Sequence, residues 1–230
     1  MANGETIRYT GSDTFTSPLF IQEDPRNTGT LEWFAVIADG EQGQITAYAN
    51  NQQGGKQYFT KLGQLGPVPF NNIVTTYVTS MTRIFWRADV SNWGASLSSW
   101  DTSRVISLYQ AFGETGFNSD VSKWDVSNVT NMFQLFKDNQ WFDQPLNTWN
   151  VAKVTNMSGM FLNASRFNRP LNSWITSSVT NMTYMFNGSS LFLQNLSGWN
   201  VDSVSVNQRA YFATEPMSRP ENSGKLPPFK

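Results

Sequence analysis

One pattern of apolar and polar positions recurs along most of the chain. A tryptophan returns every 25 residues, and each opens a similar phrase: WDVSNVTNM, WNVAKVTNM, WITSSVTNM and WNVDSVSVN. These four rings are Trp124, Trp149, Trp174 and Trp199. Two further units align on Trp100 and, more weakly, on Ile73. Self-similarity with a period of about 20 to 50 residues is typical of repeat architectures, so the pattern predicts six stacked units.

Four other apolar positions recur in each unit and predict its core. Five places after the tryptophan position comes a valine: Val78, Val105, Val129, Val154, Val179 and Val204. Twelve places after it comes a first ring: Phe85, Phe112, Phe136, Phe161, Phe186 and Tyr211. A second ring precedes the next tryptophan by seven places: Trp93, Phe117, Phe142, Phe167 and Phe192. An aliphatic residue precedes it by three: Leu97, Val121, Leu146, Leu171 and Leu196. Each tryptophan is bracketed by such positions, which favours a buried ring over an exposed sugar-binding platform.

The phrase within each unit predicts its local structure. VTNM has strand composition, because valine and threonine favour extended backbone. The SGMF or TYMF phrase that follows predicts a helical turn with its aromatic residue inward. Strands in neighbouring units would lie about 4.8 Å apart. The predicted fold class is therefore mainly β with short helical turns: a leucine-rich-repeat-like solenoid of six units of about 25 residues, preceded by a small β-rich module.

Asparagine repeats at one position, at Asn131, Asn156 and Asn181. We interpret the three as a structural ladder whose amides bond the backbone of neighbouring units. The alternative is that asparagine is used there for its tolerance of a left-handed turn conformation. Both interpretations are structural.

The chain divides into four predicted segments. Residues 1–62 form a β-rich capping or anchoring module, with a hairpin of LEWFAVIADG and QITAYAN, an exposed loop at 50–55 and a third strand GKQYFTKL. Residues 63–70 are a linker, and 71–212 are the solenoid. Residues 213–230 carry four prolines and no apolar period, which predicts an extended arm. The N-terminal module and the degenerate unit at Trp199 are expected to cap the two solenoid ends.

The phrases FNRPLNSW, WDVSNVTNM and VTNMSGMF resemble the BspA-like leucine-rich-repeat family. The resemblance covers residues of about 70–212 and leaves the N-terminal module and the final arm unassigned. It implies a solenoid used for binding or surface display, in a family with members among bacterial surface proteins and proteins of viruses and phages. It implies no catalytic residue. Bacterial surface members commonly carry a signal peptide and an anchor, and neither pattern occurs here.

The composition of the chain limits the catalytic and metal sites that it could form. The chain has no cysteine and no histidine, which removes thiolate and imidazole ligands, the common neutral-pH general base and the usual nucleophile triads. Carboxylate pairs such as Asp120 with Asp125, or Glu23 with Asp24, fall in turn-like contexts that favour capping over glycoside cleavage. No twelve-residue calcium loop occurs. We therefore expect no enzyme activity, no cofactor and no metal.

The net charge is −1 and basic residues do not cluster, so nucleic acid is not an expected partner. No apolar run is long enough for membrane insertion.

Threonines next to the buried valines should point outward, because side chains alternate along a strand. The candidate interaction face comprises Thr130, Thr155, Thr180, Ser127, Asn128 and Lys153.

These observations favour a structural or interaction protein whose partners are other proteins: capsid or neighbouring subunits, or a host surface. The leading interpretation is a virion component of a phage or other virus, a capsid decoration or surface-projection protein that is homo-oligomeric or part of a larger assembly. The first alternative is a bacterial cell-surface or extracellular adhesin or host-binding protein. The second is a carbohydrate-binding module.

Overall fold

The computed structural model describes residues 19–23, 32–40, 43–45, 47, 73–88, 90, 97–215 and 217–229. Four predicted features lie outside these residues: the third strand at 55–62, the loop at 50–55, the linker at 63–70 and the ring of Trp93.

The N-terminal part contributes to a three-stranded sheet in the order β1 (Leu19–Glu23), β2 (Glu32–Ala38), β3 (Ile73–Tyr77). Strands β1 and β2 are antiparallel, with Leu19 opposite Val36. Strands β2 and β3 are parallel, with Ala35 opposite Ile73 and a register shift between Val36 and Ala38. The predicted hairpin is wrong, because residues 44, 45 and 47 of its second strand are helical. Both edges of β2 are already occupied by β1 and β3, which leaves no edge for that strand.

Strand β3 opens the first repeat unit, so the sheet crosses the predicted boundary between module and solenoid. Ala35, Ile37 and Ile45 are buried in the same hydrophobic cluster as the residues of the units. Asp39 bonds the backbone of the first unit. Its carboxylate accepts hydrogen bonds from the N–H of Thr79 at 3.0 Å, from the N–H of Ser80 at 3.1 Å and from the Thr79 hydroxyl. In later units a carbonyl of the preceding unit accepts the corresponding N–H. Asp39 therefore supplies the acceptor that a preceding unit would present.

Each unit hydrogen-bonds to the next through the backbone. The N–H of Thr155 donates to the carbonyl of Thr130 at 2.9 Å, and the N–H of Thr180 donates to that of Thr155 at 2.9 Å. Single parallel bridges join Ser80, Ser107, Asn131, Asn156 and Asn181 in succession. The predicted strand at VTNM is therefore reduced to one bridged residue in these units. The cause is local: the Val154 N–H closes a turn on Val151, and a new turn begins at Asn156, so only Thr155 remains between the two turns.

The predicted helical turn is wrong as well. In the fourth unit, which begins at Trp149, four backbone N–H groups donate to carbonyls of the next unit: those of Met157, Gly159, Phe161 and Asn163. The intervening N–H groups of Met160 and Leu162 donate to carbonyls three residues back in their own unit. Gly159 and Asn163 have φ of 60° and 58°, and each of the first five units has such a pair four residues apart. A helix would use every N–H within its own segment, whereas here alternate donors bond the following unit.

The predicted core positions are confirmed within the described residues, with the exception of Tyr211 in the last unit. Rings at the first position stack between units at 5.4, 5.6, 5.7 and 5.3 Å between centroids, from Phe85 to Phe186. The second rings stack at 6.3, 5.9 and 5.8 Å, from Phe117 to Phe192. The five tryptophans are buried, and each indole N–H from Trp124 onward donates at 2.9 or 3.0 Å to the carbonyl of the aliphatic residue three places before the preceding tryptophan.

The last unit and the C-terminal segment differ from prediction. Phe212 takes the inward ring position and its carbonyl accepts the Phe186 N–H at 2.7 Å, while Tyr211 is exposed and stacks on Tyr184 at 4.9 Å. The first turn of the unit is kept, but a 3-10 helix, Val206–Arg209, replaces the turn that asparagine closes in earlier units, and the inward ring comes one residue later. The extended arm is also wrong. Met217 is buried, a second 3-10 helix spans Pro220–Lys225, and Phe229 packs edge-on against Phe212 at 5.1 Å. This segment covers the apolar end of the last unit.

Candidate functional site

The threonines of the candidate interaction face lie in one column. Thr130, Thr155 and Thr180 are exposed, and each follows a buried valine, as the alternation predicted. Their hydroxyls donate to carbonyls of the preceding unit at 3.3, 3.2 and 3.1 Å. The hydroxyl hydrogens are thus used within the fold, while the residues themselves stay exposed. Ile106, half-exposed, occupies the same position one unit earlier.

The remaining residues of this face form a second column beside the first. Lys153 Nζ donates to Asn128 Oδ1 at 2.7 Å, and Asn128 Nδ2 donates to the Ser103 carbonyl at 2.8 Å. Ser127, partly exposed, donates its N–H to Asp125 at 2.9 Å in a turn. The structure therefore brings the predicted residues together on one surface. Its composition changes from unit to unit, since Arg104 stands over the Tyr77 ring at 4.9 Å in the same column.

The repeated asparagines bond within their own units. The amide oxygens of Asn131, Asn156 and Asn181 accept N–H groups two residues onward, at 2.9, 3.0 and 3.0 Å. None has a positive φ. These bonds differ from both sequence interpretations: the side chains close a turn, and the bonds between units at this position run through the backbone.

A ladder of side chains between units lies elsewhere, directly after the second ring. Asn118 Oδ1 accepts the N–H of Asp143 at 2.9 Å, and Asp143 Oδ1 accepts that of Asn168 at 3.1 Å. The next residue of each following unit reaches back: Gln144 to the Asn118 carbonyl at 2.9 Å and Arg169 to the Asp143 carbonyl at 2.8 Å. The signal was present in the phrases FDQP and FNRP, whose polar residues repeat beside a buried ring.

Charged residues alternate in sign along the edge between the two rings. Arg87 Nε donates to Glu114 at 2.6 Å, Lys137 Nζ approaches Glu114 at 3.4 Å, and Lys137 also bonds Asp138. The hydrogen bond from Arg87 outweighs desolvation and lowers the pKa of the Glu114 carboxyl. Burial by itself raises the pKa of the Asp138 carboxyl. The hydrogen bonds from Lys137 and Asn163 together outweigh that effect, so the net pKa is lowered. The same contacts with Asp138 raise the pKa of Lys137. Glu114, Lys137 and Asp138 are therefore charged at neutral pH.

A groove of about 570 Å³ lies beside this charged series. Its lining includes Arg87, Glu114, Gly116, Gln140 and Trp141. Trp141 is 52% exposed, and the Arg166 guanidinium lies 3.9 Å from its ring centroid. An exposed ring of this size held by a cation is unlike the buried tryptophans of the repeat. The repeat pattern gives no sign of Trp141, because this residue lies outside the repeated positions.

The carboxylates considered for acid–base chemistry have structural roles. Asp120 Oδ1 accepts the Ser122 N–H at 2.8 Å, and Asp125 Oδ1 accepts the Ser127 N–H at 2.9 Å. Each therefore closes a turn in its own part of the unit. Among the described residues, no group of three or more acidic side chains is placed to hold a metal ion. No helix in the described part of the chain is long and apolar enough to cross a membrane.

The unit-to-unit contacts define a repeat protein. Residues 56–152 and 107–221 match the family described as "Mycoplasma protein of unknown function, DUF285". The two matches together span well over half of the chain, which belongs to this family. No curated protein and no solved structure matches the chain significantly. The family description names neither BspA nor leucine-rich repeats, so that resemblance stays a prediction.

Proposed function

We propose that the protein is a non-enzymatic interaction protein, built as a leucine-rich-repeat-like solenoid that presents columns of side chains to partner proteins. The contrast between repeated and varied positions carries this proposal. Repeated positions supply the core rings and the turn-closing asparagines. Positions that change between units, such as Tyr77, Arg104, Asn128 and Lys153, lie outside that core. In solenoid proteins, extended surfaces of this kind bind partners.

The fate of the carboxylates supports the same proposal. Asp120 and Asp125 are engaged in separate turns, and Glu114 and Asp138 are engaged with cations. A general acid needs a carboxyl whose pKa is raised toward neutrality. The pKa values of Glu114 and Asp138 are instead lowered.

More specifically, we propose a virion component that decorates a capsid or projects from its surface. The two covered ends of the stack support this choice. The sheet and Asp39 cover the first unit, and the C-terminal segment covers the last. Two copies of the protein therefore do not stack end to end through their terminal units. Contacts with neighbouring subunits use the sides of the stack, as decoration of a lattice requires. The threonine column is the side we assign to that contact.

A bacterial cell-surface adhesin is the second candidate. The family description, which refers to proteins of Mycoplasma, favours it. The same exposed columns would then bind a host or matrix protein.

Quantitative mass spectrometry of purified virions and of cell-surface fractions from the source tests the proposal. Peptides spanning the VTNM phrases should appear in virions at a fixed ratio to the major capsid protein. Their presence in the cell-surface fraction alone would reject the virion role and favour the adhesin. A soluble monomer absent from both fractions would contradict both roles.

A further inference from the structure

The edge between the two rings of each unit is the part of the repeat that varies most. The connecting segments differ in length and sequence, and they end in the residues Gly116, Trp141, Arg166 and Leu191. In repeat proteins, insertions collect on one face, which is often the binding face. The groove described above opens on this edge.

The indole of Trp141 has one covered face and one open face. Arg166 occupies the same position as Trp141 in the following unit, and its guanidinium carbon lies over the indole, 3.9 Å from the ring centroid. The residue at this position in the preceding unit is Gly116, which has no side chain to cover the other face of the indole. Gly116 and Trp141 line the same groove. The cation holds the ring in place, and the glycine leaves room for a ligand against it.

Polar groups surround this open face. Gln140 lines the groove, and its amide makes no hydrogen bond to any described residue. Glu114 and Asp138 also line it and retain acceptor capacity, because an ionised carboxylate offers about four lone-pair sites. Each of these carboxylates accepts two hydrogen bonds from the protein.

The charged residues that line the groove are Arg87, Glu114 and Asp138, one positive against two negative charges. Lys137, which bonds both carboxylates, and Arg166, on the covered face of Trp141, do not line it. The groove therefore has no net attraction for an anion, and its two carboxylates disfavour one placed beside them. Few lining residues are apolar: Trp141 and the buried Ala88. A peptide anchored by apolar side chains would find no pocket for them.

These features fit one chemical class. The negative face of an indole attracts the weakly positive C–H groups on one side of a sugar ring. The hydroxyl groups of the sugar need hydrogen-bond partners when they leave water. We propose that the groove binds a neutral hexose or N-acetylhexosamine unit of a glycan, stacked on the open face of Trp141 between Gly116 and Gln140. This ligand goes beyond the proposed protein-binding function and uses a different surface from the threonine column.

An array of neutral, sialylated and sulfated glycans probed with the full-length protein tests the inference. Neutral glycans should bind, and calorimetric titration with the best neutral oligosaccharide should give its dissociation constant. The variant Trp141→Ala should weaken binding by about tenfold or more, because the stacking surface is lost. The variant Gly116→Leu should do the same while keeping the indole, because leucine would fill the open face.

The variant Leu191→Ala is the matched control. It removes an exposed apolar side chain at the same position of a later unit, and its affinity should equal that of the unaltered protein. Thermal unfolding should show all three variants folded. Absence of neutral-glycan binding, a preference for sialylated or sulfated glycans, or unchanged affinity in both Trp141→Ala and Gly116→Leu would overturn the inference. None of these outcomes bears on virion association, which is measured separately.

Discussion

Phe136 lies at the centre of the aromatic column, and its replacement by alanine should destabilise the protein by about 3–5 kcal/mol. Its side chain is fully buried. Its ring centroid lies 5.6 Å from that of Phe112, 3.8 Å from that of Phe142 and 5.7 Å from that of Phe161. The substitution therefore removes contacts within one unit and across both of its interfaces, and the stacked rings have little freedom to close the cavity.

Phe133→Ala is the matched control, because it makes the same chemical change in the same unit. Phe133 is half-buried and stacks on Tyr109 at 4.9 Å. We expect it to cost about 1 kcal/mol.

Urea unfolding followed by circular dichroism measures both variants. Equal m-values would show that the two denatured states are comparable. For a chain of this size, Phe136→Ala should also lower Tm by about 6–20 °C. If it cost no more than Phe133→Ala at equal m-values, the ring column would not be what joins the units.

Three further outcomes are expected. Trp149→Phe keeps an aromatic ring but removes the indole hydrogen bond to the Val121 carbonyl, which still accepts the Trp124 N–H at 3.0 Å. Loss of one hydrogen bond, together with the smaller ring, should lower the free energy of unfolding by about 1–3 kcal/mol in urea. Glu114 and Asp138 have pKa values lowered by folding, so their contribution to stability is present above about pH 4 and is lost as the pH falls through the lowered values. The variant Glu114→Gln/Asp138→Asn should therefore show a flatter loss of stability on acidification than the unaltered protein. Deletion of residues 217–230 should expose the apolar end of the last unit and cause self-association, measured by light scattering; a monomeric, equally stable product would contradict the capping role.

The core positions were predictable because their period is independent of local conformation. A large apolar residue that returns every 25 residues is buried whatever backbone joins its copies, and Trp149, Phe136 and Leu146 are buried as expected. The backbone between them was not predictable from propensity. Val154 and Thr155 favour a strand, yet side-chain and backbone turns on both sides limit pairing to the bridge at Asn156.

The two ends of the chain show why composition alone misleads. The prolines of the C-terminal segment predict an extended backbone, but Pro220 starts a 3-10 helix, and Phe229 lies against the last unit. The uncovered end of the stack supplies the apolar surface that orders this segment. Likewise, the role of Asp39 as an acceptor for Thr79 depends on a contact 40 residues away in the chain. Sequence spacing gives no sign of such a contact.

The candidate site was predictable only in part. The threonine column follows from alternation next to a buried valine. Trp141 does not, because its exposure depends on the absence of a side chain at Gly116 and on the position of Arg166 in neighbouring units. A ring outside the repeated positions is the signal that could have identified it.

Photo-cross-linking at the candidate interaction face tests the central claim most directly. A photoreactive amino acid placed at Lys153, in the column beside the threonines, should cross-link to another protein in purified virions or in an intact cell-surface fraction. The same group at Asn172, an exposed residue outside that face, should give little product. Efficient cross-linking from Lys153 to one partner would support a binding surface at this face. Equal cross-linking from both positions, or none from Lys153 in either fraction, would contradict it.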